Sequence, residues 1–387
     1  MHLVNFSISF LSKILPISLS LAGLGLLITI HEFGHFFFCK VFKVQTPTFS
    51  IGFGPQIFHK KIGNTNFRLA AIPFGGYVEI AGLAETGQGE QKLAQDAGEN
   101  SFEKKWYWQK FFILTGGILF NLLFAYLVFC MLTFFAPASK ECGLKIVQLV
   151  KDYPAEKYGV QVNDMIIGIN QIKFDQTEPE AIFESYKTLL TEIRANPGKE
   201  VLLFVRRGDE IKQINVVLIS QQEAGKEIGK IGASFEPQLP KLSFFKSIKM
   251  GIRHTNELIV GLITGIKKMF SSRSLDGTMG PIMIISQGAD FARAGVLALL
   301  MFLALLSISL AVMNLLPIGA LDGGQLLFVT IEAIIRRKIP DTIKLVINLA
   351  SWVLILGLAL YLSVQELRQL FGPSVKNLIG KVAGIFR

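Results

Sequence analysis

The chain has 387 residues, 51% of them hydrophobic, a formal net charge of +10 and a mean hydropathy of +0.46. That balance excludes an ordinary soluble enzyme and describes an integral membrane protein with several spans and room for about one soluble domain. The charge does not indicate nucleic acid, because the basic residues lie mostly beside apolar runs, where they set topology and meet anionic lipid. Cys39, Cys130 and Cys142 follow neither metal-ligand spacing nor a disulfide framework and read as packing residues.

The first apolar run, from Ile14, ends in Ile28-Thr29-Ile30-His31-Glu32-Phe33-Gly34-His35-Phe36-Phe37-Phe38. No small-x-small cleavage site follows it, so it reads as span one, about residues 14–38, rather than a secretory signal. His-Glu-x-x-His on a helix puts His31 and His35 one turn apart on one face, where two imidazoles can share a metal ion. Zinc suits nitrogen ligands, and Glu32 is placed to take a proton from activated water. Ionisable groups at bilayer depth are costly, which favours a functional role over a chance match. Lys40, Lys43, Lys60 and Lys61 follow, so the positive-inside bias sets this end of the span near the cytoplasm and the N-terminus outside.

Residues 46–84 are rich in Gly, Phe and Pro, with Gly52-Phe53-Gly54-Pro55 and Pro73-Phe74-Gly75-Gly76-Tyr77-Val78 on either side of the polar turn Gly63-Asn64-Thr65-Asn66. The pattern predicts a β-hairpin. It is either an ordinary cytoplasmic hairpin or a membrane-reentrant one whose open edge pairs with an unfolded substrate strand. Residues 85–104 read as a polar loop.

Trp106, Tyr107 and Trp108, with Lys104, Lys105 and Lys110, form an interfacial anchor ahead of span two, about residues 111–135. Within it, Gly116 and Gly117 read as a helix-packing face, and Asn121 as an amide bonded to a neighbouring helix in preference to a catalytic group.

From 138 to about 235 the composition is that of a soluble domain. Strands are expected at 144–150, 165–170, 201–206 and 211–219, and helices at 153–158 and 178–195. Pro154-Ala155-x-x-x-Gly159-Val160-x-x-x-Asp164-x-Ile166-x-x-Ile169-Asn170 resembles the PDZ domain pattern, in a single copy. Residues 243–270 carry helical apolar spacing with Lys246, Lys249, Arg253, Lys267 and Lys268 interleaved; an amphipathic helix on the membrane surface is favoured over a fifth span.

Span three, about residues 294–316, runs into Asn314-Leu315-Leu316-Pro317-Ile318-Gly319-Ala320-Leu321-Asp322-Gly323-Gly324. Arg336, Arg337, Lys338 and Lys344 mark this end as cytoplasmic, at the depth of His31 and His35. A catalytic zinc takes three protein ligands, and Asp322 is the natural third; on its own it would read as a helix-capping Asp before a Gly-Gly turn. The expectation is that spans one and three touch, with His31, His35 and Asp322 converging at about 2.0–2.2 Å on one ion. His59, beside Lys60 and Lys61, is the nearest rival ligand and reads as solvated. Span four is about residues 346–362, and a basic tail follows Gln365.

The His31-Glu32-Phe33-Gly34-His35 motif, one PDZ-like domain between spans two and three, and the Asn314–Gly324 segment together resemble the site-2 protease family of intramembrane zinc metalloproteases, in its regulator-of-sigma-E branch. The resemblance covers most of the chain. It implies an α-helical membrane protein with four transmembrane helices, a membrane-reentrant hairpin and an inserted α+β PDZ domain. The implied parts are 1–137, 138–235, 236–290 and 291–387. His31, His35 and Asp322 would hold Zn2+, with Glu32 the catalytic acid/base. Asn314 and hairpin residues Gly52, Gly54, Gly75 and Gly76 would hold substrate, and Gly280-Pro281-Ile282 matches a Gly-Pro-Ile signature. Two positions depart from the family pattern: Gly319 replaces a proline, and Ile118 stands where Gly-Pro is common.

The implied function is hydrolysis of peptide bonds within transmembrane segments of substrate proteins, after a first cut by an upstream site-1 protease, in regulated intramembrane proteolysis of the envelope-stress or anti-sigma-factor type. The implied location is the bacterial inner membrane, with the PDZ-like domain and both termini on the periplasmic side. The lipid bilayer and membrane-protein substrates are the expected partners, and nucleic acid is not. A PDZ-containing scaffold or chaperone with a vestigial metal site is the alternative; a metal transporter is disfavoured, because a general base beside a lone site suits hydrolysis.

Overall fold

A computed structural model describes residues 2–83, 98–137, 139, 141–223, 226–272 and 278–385. In chain order the elements are α1 (His2–Val41), β1 (Thr48–Ile62), β2 (Thr65–Val78), α2 (Tyr107–Phe135), β3 (Gly143–Leu149), α3 (Pro154–Lys157), β4 (Met165–Ile169), β5 (Ile172–Lys173) and α4 (Pro179–Ala195). There follow β6 (Glu200–Arg207), β7 (Glu210–Val217), β8 (Ile219–Glu223), β9 (Lys226–Lys230), β10 (Ala233–Gln238), α5 (Phe244–Ser272), α6 (Pro281–Ala294), α7 (Val296–Asn314), α8 (Asp322–Ile335) and α9 (Asp341–Ile385). Most of the polar loop expected at 85–104 lies outside the described residues; its end forms two short 3-10 turns, Gly98–Asn100 and Phe102–Lys104. The chain divides into two compact units, one of residues 1–129, 254–266 and 277–387, the other of 130–253 and 267–276.

Among the described residues four helical stretches are long and apolar enough to cross a membrane: Ile14–Val41, Tyr107–Phe135, Val296–Asn314 and Asp341–Arg368. Each contains or overlaps an expected span; three helices continue past the apolar run, and Val296–Asn314 lies within the expected 294–316, between Gly295 and Pro317. Helix α1 meets α2 at glycine: a Cβ on Gly34 would sit 2.2 Å from the Gly116 carbonyl oxygen, and one on Gly116 would sit 2.5 Å from that of Gly34. Backbones this close need small residues at the crossing. Further along α1, Leu27 packs with Phe302 and Leu303 of α7, and Ser20 Oγ donates to the Ile285 carbonyl of α6.

The hairpin forms as the turn chemistry predicts, closing between Ile62 and Thr65. Its pairing is richer than a simple ladder. Residues Thr48–Ile51 of β1 have the Asn66–Leu69 stretch of β2 on one side, and Phe49–Ile51 pair with Gly76–Val78 on the other. The φ angles at Gly52, Gly54 and Gly75 are +87°, +86° and +107°, a region that side chains strain to enter and that lets the strands curl back. Phe49, buried, sits edge-on to Phe36 with ring centroids 5.3 Å apart, and Phe67 lies 5.6 Å from Phe36. Burying one such ring stabilises by about 1.5–3 kcal/mol. Because Phe36 follows His35, this packing fixes the hairpin beside the histidine motif.

Two helices absent from the sequence reading shape the C-terminal part. Helix α6 runs across the 290/291 boundary. It starts at Gly280-Pro281, with Pro281 in its first turn, and the Glu366 carboxylate of α9 accepts hydrogen bonds from the Gly280 and Met283 N–H groups at 2.5 and 3.3 Å. A Cβ on Gly280 would lie 2.8 Å from Glu366 Oε2. Helix α8 begins at Asp322. Cβ atoms on Gly323 and Gly324 would lie 2.5 Å from the Leu315 carbonyl oxygen and 2.1 Å from that of Ile318, so the Gly-Gly pair lets the turn after α7 fold back onto the first turn of α8. Gln325 Nε2 pins that turn by donating to the Gly319 carbonyl at 2.8 Å. Gly319 itself packs under Asn348 and Ser351, where even a Cβ would lie 2.8 Å from Asn348 Oδ1.

The second unit has a sheet in the order β10-β3-β4-β6-β7, with β5 paired to β4, and a separate β8-β9 ribbon. Helix α4 covers it with Ile182, Leu189 and Ile193, which pack among Leu144, Ile146, Ile166, Leu203 and Val205. The expected strands and helices are all present; β5, β8, β9 and β10 are additional. Helix α5 is continuous and does not qualify as a span. Within this unit its basic residues Lys246, Lys249 and Arg253 pair with Glu178, Glu180 and Glu184, on and just before α4, whereas the sequence reading turned such residues toward lipid.

Candidate metal centre

The helical spacing in α1 sets the His31 and His35 rings nearly perpendicular, with centroids 4.8 Å apart and Nε2 atoms 3.2 Å apart. Asp322, in the first turn of α8, brings Oδ2 to 3.2 Å from His31 Nε2 and 3.4 Å from His35 Nε2. Ligating atoms of the three residues lie within 4.8 Å of one another, the one such group of metal-binding side chains among the described residues.

The hydrogen-bond chemistry at this point is that of a cation site. His35 Nδ1 lies 2.7 Å from the Ile113 carbonyl oxygen, which can only accept, so Nδ1 carries the ring proton and Nε2 presents a lone pair. That lone pair faces the second imidazole and a carboxylate. Asp322 Oδ2 is buried and has no hydrogen-bond partner, an arrangement expensive for a carboxylate unless a cation shares the site. Two imidazole nitrogens and one carboxylate oxygen fit zinc, which takes three such protein ligands in catalytic sites and leaves a fourth position open.

Glu32 reaches the same region from α1, and its Oε2 accepts a hydrogen bond from Val78 N–H at 3.1 Å. Gly76 is close behind: a Cβ there would lie 3.8 Å from Glu32 Cγ and 2.6 Å from the Ser50 carbonyl oxygen. Of the other hairpin glycines, Gly52 is held by its approach to the Ile72 carbonyl, and Gly75 by the Phe53 ring, which a Cβ would meet at 2.2 Å. Gly54 has only Ile72 side-chain atoms nearby. Asn314 is the last residue of α7, half-buried ahead of the turn that leads to Asp322. His59 is exposed near the hairpin tip, facing Gln56, apart from this group.

Two residues of α2 belong to the centre although the sequence reading assigned them to packing. Gly117 sits against both imidazoles, where a Cβ would lie 2.5 Å from His31 Cε1 and 2.6 Å from His35 Nε2. Asn121, one turn later, does bond a neighbouring helix as read, but the group it meets is His31 Nδ1, 3.3 Å from its amide nitrogen. The spacing Gly117-x-x-x-Asn121 on one helical face was the available signal.

Comparison with known proteins agrees with this chemistry. Residues 19–358 match the model of Peptidase family M50, and the chain therefore belongs to that family, the site-2 protease family. It is a membrane protein of the metalloprotease class. Among similar proteins, one from Nostoc sp., named as a candidate zinc metalloprotease, is 30% identical over 361 residues, covering 91% of this chain and 95% of that protein. One of the same description from Helicobacter pylori is 32% identical, covering 83% and 90%. The chloroplastic membrane metalloprotease ARASP of Arabidopsis thaliana is 28% identical, covering 90% and 77%. A solved PDZ domain from Listeria monocytogenes is 19% identical and covers 26% of this chain; its TM-score of 0.20 carries no argument about the inserted domain.

Proposed function

We propose that this chain hydrolyses peptide bonds within transmembrane segments of other membrane proteins, with His31, His35 and Asp322 holding one zinc ion and Glu32 acting as the acid/base. The observation that carries this is the convergence of Asp322 Oδ2 and the two imidazole Nε2 atoms within 3.4 Å of one another, with Glu32 on the same turn of α1 as the histidines. Zinc bound there supplies a Lewis acid that polarises the scissile carbonyl and makes water acidic enough to react near neutral pH. Glu32 takes the proton from the attacking water and returns it to the leaving amide nitrogen. Val78 N–H holds Oε2 of that carboxylate, which leaves its other oxygen for proton transfer.

A helical peptide bond is shielded, so the substrate segment must unwind before it is cut. The Gly76–Val78 stretch of the hairpin lies beside Glu32 and offers an edge on which an extended segment can pair. In this reading the hairpin is membrane-reentrant, Gly52, Gly54, Gly75 and Gly76 keep its backbone in the shape that presents the edge, and Asn314 contacts the bound segment. In this reading the centre lies toward the cytoplasmic side of a bacterial inner membrane and the inserted domain, read as PDZ-like, toward the outside; the basic residues after α1 and α8 support it. A substrate already shortened by a site-1 protease, as in regulated intramembrane proteolysis, is the one such an outer domain would admit.

The test is cleavage of a model transmembrane substrate by the purified full-length chain, before and after zinc removal by a chelator. Activity should disappear with the metal and return with added zinc. Cleavage that persists in the metal-free protein would contradict the proposal.

A further inference from the structure

Asn121 is fully buried, and its amide is next to His31 Nδ1, with Nδ2 3.3 Å from the ring nitrogen and Oδ1 without a partner. We propose that Asn121 is a positioning residue for the metal ligand His31: with zinc bound, Asn121 Oδ1 accepts a hydrogen bond from His31 Nδ1–H. That bond fixes the tautomer whose Nε2 lone pair faces Asp322 and His35. This inference rests on the zinc site proposed above.

The two histidines are held differently. His35 has one tautomer imposed on it, because the Ile113 carbonyl can only accept. His31 is set against an amide, and a half-turn of an amide exchanges acceptor and donor at nearly the same positions. With the nitrogen toward the ring, His31 Nδ1 accepts and Nε2 carries the proton, which it can direct at His35 Nε2 or Asp322 Oδ2, each 3.2 Å away. That arrangement commits the His31 Nδ1 lone pair to Asn121 and leaves no lone pair on His31 Nε2 for an ion. With the oxygen toward the ring, the proton moves to Nδ1 and Nε2 becomes a ligand. A metal-bound histidine almost always donates its other ring N–H to an acceptor, and that acceptor sets ring orientation and ligand basicity.

The surroundings restrict Asn121 to this task. Its own backbone carbonyl accepts from Ser307 Oγ of α7 at 2.9 Å, which anchors the point from which the side chain hangs. Gly117, one turn earlier, leaves room for both imidazoles against α2. The amide serves both states of the site, and Asn is the residue that can do so with a half-turn and no movement of backbone.

The experiment compares zinc affinity, by competition with a chelator, in the purified full-length wild type, Asn121→Leu, Asn121→Asp and the buried α2 control Thr115→Val, whose hydroxyl bonds its own helix. Leucine keeps the volume and removes the acceptor, so affinity should fall about 10–100-fold. Aspartate presents an acceptor in either orientation and should hold zinc close to wild type, with imidazole nitrogen NMR showing His31 protonated at Nδ1. Thr115→Val should match wild type. Thermal unfolding of the metal-free proteins separates a folding defect in Asn121→Leu from loss of the ligand. Undiminished affinity in a folded Asn121→Leu, or loss of zinc in Asn121→Asp as severe as in Asn121→Leu, would overturn the inference. A wild type that takes up no zinc would instead remove the functional reading beneath it.

Discussion

Val78 N–H donates to Glu32 Oε2 at 3.1 Å, which ties the last strand segment of the hairpin to the residue between the two histidine turns of α1. The neighbouring N–H, that of Glu79, points the other way, to the Thr48 carbonyl at 2.9 Å, as alternation along a strand requires. The hairpin edge and the candidate acid/base are thus one mechanical unit.

Val78→Pro deletes that single donor while leaving the Glu79 bond to β1. A hydrogen bond to a charged group is worth about 1.5–3 kcal/mol, so kcat should drop roughly 10–100-fold with zinc content unchanged. An unaltered kcat would mean that Glu32 does not depend on the strand.

Gly117→Ala should weaken zinc binding more than any other single-methyl change in α2, because the added carbon falls 2.5 Å from His31 Cε1. Chelator competition reads the effect. Gly261→Ala in α5, where nothing lies within 4 Å of the new carbon, is the control and should match wild type.

How much of this was legible beforehand differs by length scale. The His31 and His35 pairing follows from helical period alone, and the structure brings Asp322, at the end of the turn after α7, within 3.4 Å of both rings, as the motif at the end of span three leads one to expect. The hairpin was visible in Gly63-Asn64 and its flanking apolar residues. Asn121 and Gly117 were read as packing because their importance depends on which face of α2 meets α1, a tertiary fact that a uniformly apolar helix does not reveal. Helix α8 was missed because Asp322-Gly323-Gly324 looks like a turn; the glycines serve close approach to Leu315 and Ile318, and the helix forms despite them. The double pairing of Phe49–Ile51 depends on positive φ at Gly52, Gly54 and Gly75, which a strand pattern cannot express.

In the second unit, Asp164 is buried and accepts from Arg207 Nε at 2.7 Å, Arg207 Nη2 at 2.8 Å and Gln161 N–H at 2.9 Å. Arg207→Ala leaves that carboxylate without its cation and should destabilise the domain by about 3 kcal/mol, the low end for a broken buried pair because the arginine is partly exposed. Limited proteolysis across a urea series would show it. An unshifted midpoint would mean that water replaces the guanidinium at no cost.

Deleting residues 140–235 tests whether the inserted domain screens substrates. Proteins that retain their outer portions should then be cut in cells that spare them when the domain is present. If they stay intact, screening lies elsewhere.

The most direct measurement is zinc content and cleavage of a model transmembrane substrate for the purified Glu32→Gln variant beside wild type. Glutamine keeps the shape and the hydrogen bond from Val78 but cannot take a proton, and it leaves His31, His35 and Asp322 untouched. If Glu32 is the acid/base, zinc stays at the wild-type level and cleavage is abolished. Full cleavage by Glu32→Gln would contradict that role.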